Sequence, residues 1–272
     1  MSGAPLVRIA AVQMHPRLGD CPGNLRRAEA LVRARPADLY VLPELFNTGY
    51  LFADRQDAER CAEPYPEGRT ARFLADLSAE TKTVIVGGFA ERSRDGRIYN
   101  AAAVADQGRL LACYRKIHLF DPEWDWFDSG NRPPAVVASS VGRLGPLICF
   151  DWIFPETARC LALGGAQILV HSANLVMPYC QDAMFTRCVE NRLFAVTANR
   201  IGTDERGGQR LTFTGASQIT GHAGERLAKA SSDREEVLVA EIDPALADDK
   251  YINPANHLFR DRRPGFYGKL WA

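Results

Sequence analysis

LICFDWIFPE, residues 147–156, is the stretch that decides the fold of this 272-residue chain. Small and apolar residues from position 141 to 148 predict a buried strand that ends at Cys149. Pro155 and Glu156 then predict the start of a helix, because proline suits the first helical turn and an acidic side chain favours its N-terminal end. A thiol at this corner can face a ligand from a rigid backbone, and neighbouring N–H groups can bind an oxyanion. Because a lone cysteine is more often an inert buried thiol, the rest of the chain must decide its role.

Apolar strands and amphipathic helices alternate on both sides of this stretch. The other predicted strands cover residues 7–14, 38–42, 83–89, 99–105, 110–116, 167–170, 194–199, 213–220 and 237–242. The predicted helices cover residues 24–33, 69–81, 155–163 and 183–194, and residues 119–134 are predicted as a loop. Several strands are apolar throughout, which indicates an α/β layered architecture with sheets covered on both faces. We expect one domain over residues 1–272, with a polar and aromatic C-terminal arm from about residue 244.

The composition argues against several classes of partner. The 33 basic residues balance the 33 acidic ones, and no basic stripe is present, so we expect neither nucleic acid nor an anionic membrane as a partner. No apolar run approaches the length of a membrane span, and the first 16 residues lack the pattern of a signal peptide. The seven cysteines are scattered without a CxxC pair, so we expect a reduced, cytoplasmic protein with no zinc knuckle or disulfide framework.

Three chemically complementary residues follow apolar runs at the point where each predicted strand ends. They are Glu44, Lys116 and Cys149. The ends of strands in an α/β sheet are where ligands usually bind. A carboxylate can act as the base for a thiol nucleophile, and an ammonium group can stabilise the oxyanion that forms. The three residues together therefore predict a nucleophilic active site.

The sequence blocks around these residues resemble the three signature blocks of the nitrilase superfamily, the carbon–nitrogen hydrolases. The blocks are PELFNTGY (43–50), YRKIHLF (114–120) and CFDWIFPE (149–156). Similarity extends to AVQM (11–14), HSANLVMPY (171–179), ENR (190–192) and FRDRRPGFY (259–267). The resemblance implies a four-layer αββα sandwich, a Glu44–Lys116–Cys149 catalytic set, and no metal or organic cofactor. It also implies a homodimer or higher homo-oligomer that pairs through helices, with the C-terminal arm reaching the partner.

The resemblance also implies a fourth catalytic residue, Glu123, which would orient the lysine and the attacking water. One departure lies close by. Relatives commonly read Pro-Gly-Asp where this chain reads Asp-Ser-Gly-Asn at residues 128–131, so we expect the path of this loop to differ.

The implied chemistry is hydrolysis of a non-peptide C–N bond through a cysteine thioester. Glu44 would take the thiol proton, and Lys116 would hold the oxyanion with the backbone N–H of Phe150. The substrate-binding candidates are Asn174 and the aromatic residues near the blocks, namely Tyr50, Trp124, Phe150 and Trp152. No arginine lies in the blocks immediately around Cys149, so a neutral or amine-bearing aliphatic amide fits better than an N-carbamoyl amino acid.

Three alternatives remain open from the sequence. A nitrilase would use the same residues to make an acid directly from a small nitrile, and the PELFNTGY and ANLVMPY segments resemble compact nitrilase-like enzymes. A catalytically silent member would be a binding module. A thiol protease or acyltransferase would pair Cys149 with a histidine, for which His118 and His171 are the candidates.

Overall fold

Two β-sheets packed face to face form the centre of the structure, a computed structural model that describes residues 6–271. The strands are β1 (Val7–Gln13), β2 (Leu39–Val41), β3 (Glu63–Pro64), β4 (Val84–Arg92), β5 (Ile98–Asp106), β6 (Arg109–Arg115), β7 (Val137–Ser139), β8 (Gly142–Ile148), β9 (Ile168–Ser172), β10 (Phe194–Ala198), β11 (Thr203–Arg206), β12 (Gln209–Thr212), β13 (Gln218–Thr220), β14 (Arg226–Lys229), β15 (Glu236–Ile242), β16 (Tyr251–Asn253) and β17 (Asn256–His257). The α-helices are α1 (Cys21–Ala34), α2 (Arg55–Cys61), α3 (Arg69–Thr81), α4 (Glu123–Trp126), α5 (Pro155–Leu163) and α6 (Cys180–Asn191). Short 3-10 turns cover Cys149–Ile153, Pro244–Ala247, Pro264–Phe266 and Gly268–Trp271.

Parallel strands lie at the centre of both sheets. The first sheet has the order β15-β1-β2-β4-β5-β6, with β3 added beside β4, and β1, β2 and β4 run parallel. The second sheet has the order β14-β13-β10-β9-β8-β7, and β8, β9 and β10 run parallel. Parallel neighbours bring their carboxyl ends to one edge of a sheet, so the loops after β2, β8 and β9 can share a site.

Alternation of side chains along the strands explains the four layers. In β1, Ala10 and Val12 pack with α1 and α3 on the outer face, whereas Ile9 and Ala11 face the second sheet. The inner layer continues through the second sheet to α5 and α6, which cover its far side. The layers are therefore α, β, β and α, which confirms the expected sandwich in one compact domain.

Two predicted elements differ from the structure at residues with left-handed backbone. Only Gln218–Thr220 of the predicted strand 213–220 is extended in a sheet, because Gly215 and Ala216 have φ values of 57° and 52° and break the strand. The helix predicted over residues 183–194 begins earlier, at Cys180, and ends at Asn191. Arg192, with φ of 47°, reverses the chain there.

Several elements were not predicted, among them helix α4 inside the predicted loop 119–134, helix α2 and the β11–β12 hairpin. Helix α2 begins after Asp54, whose side chain accepts a hydrogen bond from the N–H of Asp57. The β11–β12 hairpin turns at Gly207 and Gly208, which both have positive φ, as a tight two-residue hairpin requires. None of the helices within residues 6–271 is both long enough and apolar enough to cross a bilayer.

Candidate active site

Cys149 sits at a strained corner directly after β8. Its φ of 41° lies in the left-handed region, which a side chain other than glycine rarely adopts. Its carbonyl accepts a hydrogen bond from Nε2 of the buried His171 at 3.0 Å, so this ring nitrogen carries the proton. Its sulfur lies 3.7 Å from the carbonyl oxygen of Asn174, which follows β9. The end of β9 and the residues that follow it therefore help to hold the corner.

Asp151 is the polar centre of this corner, a role that the sequence did not reveal. Its buried carboxylate accepts hydrogen bonds from the N–H of Ile148 at 3.0 Å and from the hydroxyl of Tyr114 at 2.7 Å. It also accepts from the ring Nδ1 of His118 at 2.8 Å, and that ring stacks on Phe154 with centroids 3.7 Å apart. These contacts tie the end of β8 to the end of β6 and the residues that follow it, and so bring the segments of Cys149 and Lys116 together.

Lys116 joins two carboxylates in a fully buried cluster. Its Nζ lies 2.7 Å from Oε1 of Glu44 and 2.7 Å from Oε1 of Glu123, and all three side chains are 0% exposed. Asn100, near the start of β5, donates to Oε1 of Glu44 at 2.7 Å. The second oxygen of Glu44, Oε2, has no hydrogen-bond partner among the residues that the structure describes. That oxygen is therefore available to accept a proton.

Glu123 has its own set of donors. The Tyr50 hydroxyl donates to Oε1 of Glu123 at 2.7 Å, and the N–H of Phe120 donates to Oε2 at 3.3 Å. Tyr50 is buried and is absent from the lining of the cavity beside Cys149. The Tyr50 hydroxyl therefore holds Glu123, and the expectation that Tyr50 binds substrate stays a prediction.

The burial of these groups sets their protonation. Burial alone would lower the pKa of Lys116, but the charges of Glu123 and Glu44 outweigh it and raise that pKa, so the side chain is an ammonium. Burial, followed by the charge of Glu44, raises the pKa of Glu123 to about 7, although Lys116 opposes the shift. Burial and then Glu44 raise the pKa of the Cys149 thiol well above its usual value, against Lys116. The resting thiol is therefore protonated, and any nucleophilic reaction at the sulfur needs a base.

A small, mainly apolar cavity of about 20 Å³ lies beside the sulfur. It is lined by Phe120, Cys149, Phe150, Trp152, Asn174, Leu175, Val176 and Met177. A larger depression of about 740 Å³, around His15 and Arg27, includes none of the predicted site residues in its lining, so size alone does not locate the site.

Three of the five predicted substrate-binding residues line this cavity, namely Phe150, Trp152 and Asn174. The side chain of Trp124 is 65% exposed and is absent from the lining, so its part in substrate binding stays a prediction. Both amide atoms of Asn174, Oδ1 and Nδ2, are buried without a hydrogen-bond partner within residues 6–271. Unpaired buried amide atoms beside a cavity are available to a ligand.

Neither candidate histidine hydrogen-bonds to the sulfur anywhere in the described part of the chain. His118 contacts Asp151, and His171 contacts the carbonyl of Cys149 and the hydroxyl of Thr197. Burial also lowers the pKa of His171 to about 4, so the ring is neutral. The geometry gives no support to a Cys–His pair.

Comparison with known proteins shows similarity over nearly the whole chain. The family model described as carbon-nitrogen hydrolase matches residues 8–250. A protein named nitrilase from Pyrococcus abyssi is 44% identical over 265 residues, covering 96% of this chain and 99% of its own length. An N-carbamoylputrescine amidase from Solanum lycopersicum is 34% identical, covering 97% and 95%. The crystal structure of a carbon-nitrogen hydrolase from Helicobacter pylori superimposes with a TM-score of 0.90 at 27% identity, covering 98% of this chain and 99% of that one.

The chain therefore belongs to the carbon–nitrogen hydrolases of the nitrilase superfamily. Its fold matches that of the solved member, and its relatives carry the names of nitrilases and amidases. The resemblance drawn from the three sequence blocks is confirmed at the level of family and fold.

Proposed function

We propose that this protein hydrolyses a small aliphatic amide to a carboxylic acid and ammonia or an amine, through a thioester on Cys149. One observation carries the proposal. Lys116 holds the carboxylates of Glu44 and Glu123 in a water-poor cluster beside a protonated thiol, and one oxygen of Glu44 has no hydrogen-bond partner within residues 6–271. A base, a cation and a nucleophile in one buried place are the parts that acyl transfer needs.

Acylation begins when Oε2 of Glu44 takes the proton from Sγ of Cys149. The thiolate attacks the carbonyl carbon of the amide, and the oxyanion is stabilised by the ammonium group of Lys116 and the N–H of Phe150. Phe150 lies in the first turn of the Cys149–Ile153 3-10 helix, where N–H groups lack partners within the helix. The protonated Glu44 then donates to the departing nitrogen, the C–N bond breaks, and a thioester remains.

Deacylation uses the same groups in reverse. Glu44, ionised again, removes a proton from a water molecule that attacks the thioester carbonyl, and Glu123 orients that water together with Lys116. The tetrahedral intermediate collapses by breaking the C–S bond. The proton returns to the sulfur, and the acid leaves. A positioned acid or base of this kind contributes on the order of 10²–10⁴ in rate.

The chemistry of Asn174 favours an amide over a nitrile. An amide substrate brings N–H groups that can donate to Oδ1 of Asn174, which has no partner among the described residues, whereas a nitrile has no N–H group. The small apolar lining that includes Trp152 and Val176 suits a short aliphatic acyl group. A nitrile substrate is the second candidate, since the relative from Pyrococcus abyssi carries the name nitrilase.

Ammonia release from a matched panel tests the proposal. The panel pairs butyramide with butyronitrile and adds N-carbamoylputrescine and an N-carbamoyl amino acid. We expect the highest kcat/KM for butyramide or the amine-bearing carbamoyl compound and the lowest for the N-carbamoyl amino acid. Ammonia from butyronitrile but not from butyramide would reverse the order of the two candidates. Binding of every compound without turnover would instead identify a silent binding module.

Two further properties remain proposals. We propose a homo-oligomer that pairs through the α5–α6 layer, which exposes large apolar side chains at Ile153, Leu163, Tyr179, Phe185 and Val189. Light scattering of the purified protein measures its mass in solution, and a monomer at all concentrations would exclude this pairing. We also propose a cytoplasmic location, which the scattered cysteines support and which fractionation of cells tests.

A further inference from the structure

A buried ion pair outside the catalytic cluster anchors the loop that carries Tyr50. Arg200, after β10, places both terminal nitrogens 2.8 Å from the two carboxylate oxygens of Asp204, which lies in β11. The side chains are 0% and 2% exposed. The Arg200 guanidinium also donates to the carbonyl of Pro16 at 3.0 Å and lies 4.0 Å above the ring of Phe213. A bidentate contact of this kind fixes both the orientation of and the distance between the guanidinium and the carboxylate.

Asp204 uses the same carboxylate to hold the backbone of the Tyr50 loop. Its Oδ2 accepts hydrogen bonds from the N–H of Tyr50 at 3.0 Å and of Leu51 at 3.3 Å. The ring of Tyr50 packs edge-on against Phe213 and Trp126, with centroids 5.9 and 5.8 Å apart. The backbone and the ring of Tyr50 are therefore both held by residues distant in sequence.

The held loop ends on the catalytic cluster. The Tyr50 hydroxyl and Nζ of Lys116 share one oxygen of Glu123, each at 2.7 Å. A continuous chain of contacts therefore runs from Arg200 through Asp204 and Tyr50 to Glu123. A misplacement of Tyr50 would change the position of the carboxylate that orients water and lysine.

We infer that Asp204, held by Arg200, is a positioning residue for the reaction, because it fixes the Tyr50 loop so that the Tyr50 hydroxyl holds Glu123 against Lys116. This inference rests on the proposed function, since it assigns Asp204 a part in that hydrolysis. Within residues 6–271, the side chain of Asp204 forms no hydrogen bond with a residue that lines the cavity. Asp204 therefore acts through Tyr50.

A double-mutant cycle of Tyr50→Phe and Asp204→Asn tests the inference. Each single variant is expected to lower kcat for butyramide about tenfold, the loss typical of one hydrogen bond to a charged group, with little change in KM. The double variant is expected to be no slower than the slower single variant, because both changes break one chain of contacts.

The pH profile supplies a second readout. Three groups shift the pKa of Glu123, namely Lys116, Glu44 and Tyr50. The charge of Glu123 in turn raises the pKa of Cys149. The hydrogen bond from Tyr50 favours the ionised form of Glu123, whose pKa is about 7, so its loss raises that pKa. Because Glu123 acts as a carboxylate, activity falls as the pH drops through its pKa. The acid limb of the kcat profile should therefore move to higher pH in both variants.

Hydrogen exchange gives a readout that does not depend on turnover. Asp204→Asn should increase exchange at the amides of Tyr50 and Leu51, whereas Tyr50→Phe should leave them protected. Glu205→Gln is the matched control, because Glu205 lies on the same hairpin and pairs only with the exposed Arg210 among the described residues. The control should match the wild type in kcat, KM, pH profile and exchange.

Three outcomes would overturn the inference. The first is a loss of kcat in the double variant equal to the product of the two single losses. The second is an unchanged rate of amide hydrogen exchange at residues 50 and 51 in Asp204→Asn. The third is an acid limb of the kcat profile that stays at the wild-type pH in both variants. If Asp204→Asn does not fold, Arg200→Lys replaces it in the cycle, because lysine keeps a cation beside Asp204 but loses the bidentate contact. A wild-type protein that hydrolyses no amide would contradict the proposed function alone, since the exchange results would still test the contact between Asp204 and the loop.

Discussion

Replacing Cys149 with alanine should abolish amide hydrolysis while the fold survives. The variant removes the only group that forms the covalent bond in the proposed reaction, and losses on the order of 10⁴-fold or more in kcat are typical when a nucleophile is removed. Alanine occupies less volume than cysteine and introduces no charge, so the buried corner should keep its packing. Ammonia release from butyramide gives the activity, and circular dichroism with urea unfolding gives the fold.

Cys160→Ala is the matched control for this experiment. Cys160 lies on α5 and is exposed, so its removal changes one thiol without touching the cavity. It should keep the wild-type kcat and KM. Turnover by Cys149→Ala within tenfold of the wild-type rate would remove Cys149 from the mechanism, and equal losses in both variants would indicate a general effect of thiol removal.

Replacing Lys116 with methionine should destabilise the fold as well as stop turnover. The change leaves two buried carboxylates, Glu44 and Glu123, facing one another without their shared cation. Removal of one partner from a buried ion pair typically costs about 3–5 kcal/mol in the free energy of unfolding. Urea unfolding at pH 8.5 measures this loss, and Lys229→Met, an exposed lysine on β14, provides the control.

The loss in Lys116→Met should shrink as the pH falls. The pKa of Glu123 in the folded protein is about 7, against an ordinary value of 4.5, and it rises further when Lys116 is absent. A carboxyl with a raised folded-state pKa contributes most stability below its unfolded pKa, and that stability is lost as the pH rises through the folded pKa. The variant should therefore recover part of its stability between pH 8.5 and pH 5.5. If the loss of unfolding free energy in Lys116→Met did not depend on pH, the result would contradict a cluster that is held together by charge.

The catalytic candidates could be predicted because each polar side chain follows directly on an apolar run. Glu44 comes just after β2, Lys116 after β6 and Cys149 after β8, and the sheets bring these ends together. Asn100 could not be found in this way. It lies inside the apolar strand β5, and its partner Glu44 is 56 residues away in the sequence. The contact of Asp204 with Tyr50 spans 154 residues, so no local pattern could have revealed it.

The aromatic residues show a second limit of sequence reasoning. The sequence positions of several aromatics near the catalytic blocks made them candidates but could not determine which way each side chain points. Glu123 and Trp124 are consecutive in helix α4, where neighbouring side chains diverge by about 100°. Glu123 therefore points into the cluster while Trp124 points into solvent, although both were predicted to serve the site.

The prediction of strands was limited because backbone conformation cannot always be inferred from local sequence. Gly207-Gly208 is a turn signal, and the hairpin it joins was missed because its strands are mainly polar and lack buried apolar residues. Ala216, by contrast, has a left-handed conformation that no property of alanine suggests. Its N–H donates to the carbonyl of Ser231 at 2.9 Å, and the predicted strand is interrupted there.

The acyl group on Cys149 is the central intermediate of this account, and peptide mass spectrometry of acid-quenched turnover mixtures measures it most directly. With butyramide as substrate, we predict that the peptide containing Cys149 gains one butyryl group during turnover and loses it when the amide is consumed. The other six cysteines should remain unmodified. Formation of ammonia and butyrate while the Cys149 peptide stays unmodified at every time point, or a butyryl group on another cysteine, would contradict the account.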